Sequence, residues 1–229
     1  MRLLLLPGLD GTGQLFRWLI ERLPPSLQST VVSYPSDLSS YSDLLPLVRS
    51  ALPLGEPYVI VAESYSGPLA VSVASEKPRG LTGLVLVASF ARSPWPRWIS
   101  AFGRLVSAPL LRLLPASLVA RALLGSASTS FAREVRDAIS GNSPAVLAGR
   151  LRGVLTVDVT GKLSQIEVPL LYLVARKDAF VTGSAARLIQ RYARRIRVVT
   201  VEAPHLLLQV APAEAAREIS EFAARAVAF

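Results

Sequence analysis

A serine, a histidine and an aspartate stand where this sequence could do chemistry. Ser64 lies in "VAESYSG" (61–67), where an acid, two serines and a tyrosine separate two apolar stretches. The chain's one histidine, His205, lies in "VEAPHLLLQVAP" (201–212), and Asp178 directly follows "PLLYLVARK" (169–177). A serine hydroxyl becomes a useful nucleophile at neutral pH when a neutral imidazole takes its proton, and the imidazolium that forms needs an acid to orient and stabilise it. The three residue types together therefore point to nucleophilic acyl transfer. Their order, Ser then Asp then His, is the one expected when such residues stand at the strand ends of an α/β sheet.

Each candidate has a rival. The pattern A-E-S-Y-S-G departs from G-x-S-x-G, because Ala62 and Ser66 stand where glycines are usual. Both are small enough for a sharp strand-to-helix turn to close. Ser66 is a second hydroxyl, but that turn would aim Ser64 at the base. Asp158, in "TVDVTGKL" (156–163), is an alternative acid that precedes a strand instead of ending it. Asp10, before Gly11, reads as a turn residue. For Glu63 a structural hydrogen bond or an ion pair is expected, since an unpaired buried carboxylate is costly. "GLDGTG" (8–13) lacks the Lys-Ser/Thr and the spacing of a phosphate cradle.

The elements that must position these residues are legible as short apolar runs. "RLLLL" (2–6), "STVVSY" (29–34), "YVIVA" (58–62), "LTGLVLVAS" (81–89), "PLLYLVA" (169–175) and "IRVVTVEA" (196–203) have the length and composition of strands buried on both faces. Helical patterns alternate with them at 13–23, 41–52, 67–77, 182–195 and 212–227. Alternation of this kind predicts an α/β fold with a doubly wound, mostly parallel sheet. From Ser93 to Thr156 no strand-like run occurs, and proline and glycine divide the segment into short helices. The expected organisation is a core of residues 1–92 and 157–229 with a helical cap of residues 93–156 over the strand ends, where ligands bind.

The sequence resembles the α/β-hydrolase superfamily over essentially its whole length apart from the cap. "LLLPGLDGTGQLF" (4–16) is similar to the loop after the first core strand of that family, with Pro7-Gly8 where many members have His-Gly. Its Leu-Pro-Gly-x-Asp-Gly-Thr-Gly form is similar to that of plant acyltransferase-like hydrolases that make phytyl esters. The resemblance implies a six-stranded core lacking the two leading strands of the full fold. It also implies an oxyanion hole formed by the backbone amides of Leu9 and Tyr65.

Composition bounds the rest. Hydrophobic residues make up 51% and charged residues 18%, which excludes a disordered chain. The net charge is +9, yet the arginines are scattered and only "RYARRIR" (191–197) is dense, so no nucleic-acid partner is expected. With no cysteine there is no disulfide or thiolate chemistry, and one histidine leaves no plausible zinc set. The chemistry calls for no cofactor or metal. "MRLLLLPG" (1–8) reads as a strand, no apolar run reaches the roughly 18 residues of a membrane span, and the expected location is cytoplasmic.

The expected function is a serine hydrolase that cleaves carboxylic esters of hydrophobic, short to medium acyl chains through an acyl-enzyme. Acyl transfer and thioester cleavage on the same triad are the alternatives, followed by a non-catalytic ligand-binding role. The expected partner is a small ester, with transient lipid-surface contact through the cap. Trp95, Trp98 and Phe102, at roughly helical spacing where the cap begins, are the expected acyl-pocket residues.

Overall fold

The computed structural model describes residues 1–96, 98–99, 103, 106–112, 116–125 and 129–226. Six strands, β1 (Arg2–Leu6), β2 (Gln28–Val31), β3 (Tyr58–Glu63), β4 (Leu81–Val87), β5 (Leu170–Ala175) and β6 (Ile196–Val201), form one sheet in the order β2-β1-β3-β4-β5-β6. Every pairing is parallel. The period-2 geometry of a strand sends alternate side chains to opposite faces, and here both faces are buried. Leu4, Leu6, Ile60, Ala62, Leu84 and Leu86 enter one core cluster, while Leu3, Leu5, Val59, Val61, Val85 and Val87 enter the other.

Helices cover both faces. They are α1 (Arg17–Ile20), α2 (Tyr41–Ser50), α3 (Gly67–Ser75), α4 (Ala108–Arg112), α5 (Ala116–Leu124), α6 (Thr129–Ser140), α7 (Pro144–Thr156), α8 (Thr160–Leu163), α9 (Gly183–Tyr192), α10 (Leu207–Val210) and α11 (Pro212–Ala226). Residues of α2, α3 and α9 pack with the first cluster, and Ile219 and Phe222 of α11 with the second. The helical pattern expected over 13–23 is shorter than its periodicity implies: a 3-10 turn over Gln14–Phe16 leads into the four residues of α1. Pro24 and Pro25 stop it, because the residue before a proline is pushed out of helical conformation.

Among the described residues, the stretch between β4 and β5 holds only helices and turns. An antiparallel bridge between Arg92 and Asp158 pins the two ends of this helical stretch side by side. Ser93 N–H to the Val157 carbonyl (3.0 Å) and Val159 N–H to the Ala91 carbonyl (2.8 Å) continue it. Ala120, Leu124, Val135 and Ala138 of this segment pack on Leu15 and Leu206, which flank the loops after β1 and β6. No helix among the described residues is long and apolar enough to cross a membrane.

Strand order reverses between β1 and β3: the chain steps from β1 outward to β2, and from β3 to β6 on the other side. Because the strands are parallel, their carboxyl ends share one edge, and the loops after β1 and β3 flank a crevice at the reversal. That is where an open α/β sheet binds its ligands.

Candidate active site

Ser64 occupies the sharp turn between β3 and α3. It opens a 3-10 turn (Ser64–Ser66) and has φ of 46°, a left-handed conformation that a non-glycine residue holds only when its surroundings impose it. The surroundings do so. The Ser89 hydroxyl donates to the Ser64 carbonyl at 2.6 Å, and the Tyr172 hydroxyl donates to the Ser89 carbonyl at 2.5 Å. A Cβ on Gly67 would stand 1.9 Å from Ser89 Oγ and 2.9 Å from the Phe90 carbonyl oxygen, so only glycine allows α3 to start this close to β4. Ala62 and Ser66 are both buried in the tightly packed elbow, and that is why small residues stand there.

The structure brings Ser64, His205 and Asp178 into one hydrogen-bonded line. Ser64 Oγ lies 2.8 Å from His205 Nε2, and His205 Nδ1 lies 2.7 Å from Asp178 Oδ2. A proton on Nδ1 directed at the carboxylate leaves the Nε2 lone pair to accept from the serine. The other carboxylate oxygen, Asp178 Oδ1, accepts from the Phe180 and Val181 amides at 2.8 and 2.9 Å. The Asp178 side chain is 1% exposed, and it cannot swing away without abandoning these bonds. Phe180 meets the imidazole edge-on at 5.4 Å between centroids. Ser64 itself is partly open to solvent while its partners are buried.

Leu9 and Tyr65 lie on the two loops that flank the crevice. Neither Leu9 N–H nor Tyr65 N–H donates to a protein acceptor among the described residues. The Leu9 loop is a turn closed by Gly11 N–H to the Gly8 carbonyl (3.1 Å), and Asp10 Oδ2 accepts from Thr12 N–H and Oγ at 2.9 and 2.6 Å. Those amides are used inside the loop, so it is no phosphate cradle. Ser66, the second hydroxyl of the elbow, donates to the Pro7 carbonyl and lies 2.5 Å from the Tyr34 hydroxyl. It ties the elbow to the loop after β1 instead of facing the base.

The same loop is held from above by a residue with no counterpart in the sequence reading. Arg150, fully buried on α7, donates from Nη1 to the carbonyls of Leu9 (2.9 Å) and Asp10 (3.0 Å) and to Asn142 Oδ1 (3.3 Å). From Nη2 it reaches the carbonyls of Pro35 and Leu38, each at 3.2 Å. Asn142 Nδ2 adds a 2.7 Å bond to the Asp10 carbonyl. The guanidinium fills the space beside Gly11, where a Cβ would meet Nη1 at 2.5 Å.

Of the two partners expected for Glu63, the hydrogen bond comes from the Gln209 side chain and the ion pair does not form among the described residues. Glu63 is buried, yet no cation stands within ion-pair distance among the described residues, and Oε1 has no hydrogen-bond partner. Burial pushes its carboxyl up to about 8, with the nearby Asp10 charge acting in the same direction and the Gln209 amide against it. Asp158 does not reach His205. Its Oδ1 accepts from Thr160 N–H and Oγ at 3.0 and 2.6 Å at the start of α8.

A cavity of about 960 Å³ opens beside Phe180 and Ala179, lined also by Pro94, Trp95, Leu155 and Val157. Ser64 is not on its wall; the link to the reacting groups runs through Phe180, which touches His205. Of the three aromatics expected in an acyl pocket, Trp95 lines this cavity, whereas Trp98 is 67% exposed and does not. Phe102 lies outside the described residues.

Residues 33–209 match the family described as serine aminopeptidase, S33, a stretch that includes Ser64, Asp178 and His205 and leaves out β1 with its loop. No curated protein matches the chain in sequence. A thermophilic esterase from Thermogutta terrifontis has the same fold, with a TM-score of 0.83 at 21% identity over 99% of this chain and 90% of that one. The enol-lactonase from Burkholderia xenovorans aligns with a TM-score of 0.81 at 16% identity over 96% and 90%. A bromoperoxidase from Bacillus anthracis aligns at 0.79 and 15% over 100% and 92%. Proteins named for such different reactions share this architecture, so the architecture leaves the reaction to the site. The family match over most of the length and the six-stranded parallel sheet agree: the chain belongs to the serine aminopeptidase, S33, family of α/β hydrolases.

Proposed function

We propose that the protein is a serine esterase that hydrolyses small carboxylic esters with hydrophobic, short to medium acyl chains. The observation that carries this reading is the continuous line from Ser64 Oγ through His205 (2.8 Å) to Asp178 (2.7 Å) at the carboxyl edge of the sheet. Ser64 Oγ attacks the ester carbonyl as its proton passes to His205 Nε2, and Asp178 stabilises the imidazolium. The oxyanion of the tetrahedral intermediate takes the Leu9 and Tyr65 amides, each worth roughly 2.7–4 kcal/mol of barrier. Collapse breaks the bond to the alcohol, which leaves with the proton from Nε2. Water, deprotonated by the same imidazole, then attacks the acyl-enzyme and releases the acid and the free serine.

In this reading residues 93–156 act as a cap over the core of 1–92 and 157–229. Support comes from the paired ends of the helical stretch at Arg92 and Asp158 and from Arg150, which joins α7 to the loop of Leu9. The apolar wall of Trp95, Leu155, Val157 and Phe180 suits an acyl chain. Trp98, Leu110 and Leu118 are exposed on the same segment and supply the apolar contact for a lipid surface.

The test is hydrolysis of p-nitrophenyl esters of graded acyl length by the wild type and by Ser64→Ala. Activity that vanishes in the variant, with an optimum at short to medium chains, supports the reading. Equal inertness of two folded proteins overturns it, and added alcohol then asks for acyl transfer.

A further inference from the structure

We propose that the substrate carries an anionic group, a carboxylate or a phosphate, which is held away from the reacting carbonyl by Arg92, Arg187 and Arg191. The inference rests on the serine-hydrolase reading and adds a substrate class to it.

The geometry begins at the reacting groups. The cavity of about 960 Å³ beside Phe180 continues past Arg92, Ser93, Pro94 and Ser184, and these four residues also line a second, smaller cavity of about 260 Å³. Its remaining wall is Ala185, Arg187, Leu188 and Arg191. Three arginines thus line a recess whose wall includes no carboxylate-bearing residue. Arg187 and Arg191 are four residues apart on α9, where like charges face one another and repel. Arg187 also folds back along its helix, its Nη1 3.5 Å from where a Cβ on Gly183 would stand.

The chain has 25 Lys and Arg against 16 Asp and Glu, so several cations must lack an acidic partner somewhere. Arg2, Arg17, Arg49, Arg176, Arg197 and Arg225 each pair with a glutamate, whereas no ion pair involves Arg92, Arg187 or Arg191 among the described residues. Asp158, the one acid on the wall of the larger cavity, is engaged at the start of α8. Of the cations without an ion pair among the described residues, Arg92, Arg187 and Arg191 line the recess that adjoins the cavity walled by Phe180, the ring that meets His205. Guanidinium groups bind carboxylates and phosphates through paired N–H donors, which makes these the fitting ligands. An acyl chain or leaving group running past Trp95 and Phe180 would deliver such a group to them.

Matched substrate pairs test this and separate the two sources of charge. One pair is the p-nitrophenyl hemiester of a medium-length diacid and its neutral ω-methyl ester; the other is acetyl-pantetheine with and without a terminal phosphate. The expected result is a kcat/KM ratio of about tenfold or more in favour of the charged member of one pair. The ratio shrinks as salt rises to about 0.5 M and falls close to one in Arg187→Gln/Arg191→Gln. A ratio near one in the wild type for both pairs overturns the proposal, and so does a ratio that survives in the double variant. Ser64-dependent turnover of the neutral esters without charge preference removes only the anion site. Inertness of a folded wild type toward every member removes the esterase reading itself.

Discussion

Arg150 and Leu9 are 141 residues apart in the chain, and a 2.9 Å hydrogen bond joins them. The bond runs from the helical segment to the loop that carries Leu9, whose amide has no protein acceptor among the described residues. A buried arginine surrounded by backbone carbonyls instead of a carboxylate holds several strands of chain at once. Here it fixes Leu9, Asp10, Pro35 and Leu38 relative to α7.

Replacing it should therefore affect both stability and rate. Arg150→Met removes the guanidinium donors from the Leu9 and Leu38 carbonyls, at about 1–3 kcal/mol each where water does not replace the bond, while the Asp10 and Pro35 carbonyls keep the Asn142 side chain and the Leu38 amide. The expected loss is several kcal/mol in urea unfolding. Arg150→Lys, which keeps the charge but loses the fork, should fall between the two and show a lower kcat with KM little changed. Wild-type stability in Arg150→Met would contradict this account.

Asp178→Asn should preserve the fold and remove orientation of the imidazole. The expected decrease in kcat on a p-nitrophenyl ester is on the order of 10³–10⁴, with KM nearly constant. A change confined to KM would assign Asp178 to binding.

Glu63 predicts how stability responds to pH. Its carboxyl is pushed up to about 8 in the folded protein, against about 4.3 for an exposed glutamate. Between those values the folded chain keeps a proton that the unfolded chain has released. The native state therefore loses stability as pH rises through this window, and the favourable contribution is complete only below it. Glu63→Gln cannot titrate, so its advantage over the wild type should grow across the window by on the order of a few kcal/mol. Parallel stability curves for the two proteins would show that Glu63 does not titrate as described.

Gly67→Ala places a methyl group 1.9 Å from Ser89 Oγ and 2.9 Å from a backbone carbonyl. Overpacking of this kind costs typically about 1–3 kcal/mol. Because Ser89 holds the Ser64 carbonyl, the shift should also slow labelling of Ser64 by a fluorophosphonate. Labelling at the wild-type rate would mean that the elbow absorbs the methyl without moving.

Much of this was legible beforehand. Each strand was a short apolar run, because burial on both faces requires apolar side chains at consecutive positions, and all six runs became β1 to β6. Ser64, Asp178 and His205 could be picked out because each stood within three residues of the end of such a run, and parallel strands bring their carboxyl ends together. Glu63 was less legible: its residue type promised a hydrogen bond or an ion pair, and which of the two forms depends on neighbours from other segments. The helix expected over 13–23 had the right periodicity, but the turn from Gly13 and the two prolines shortened it.

Local periodicity, turn residues and chain order are properties of neighbouring residues, so the sequence by itself determined the α/β alternation, the helical stretch between β4 and β5 and the order of Ser64, Asp178 and His205. Only the tertiary structure decided what clamps the Leu9 loop and which recess Arg92, Arg187 and Arg191 line. Arg150 bonds to backbone carbonyls from 112 to 141 residues away, and every residue type carries the same carbonyl. A contact made with groups common to all residues leaves no mark on residue identity and exists only once the chain has folded.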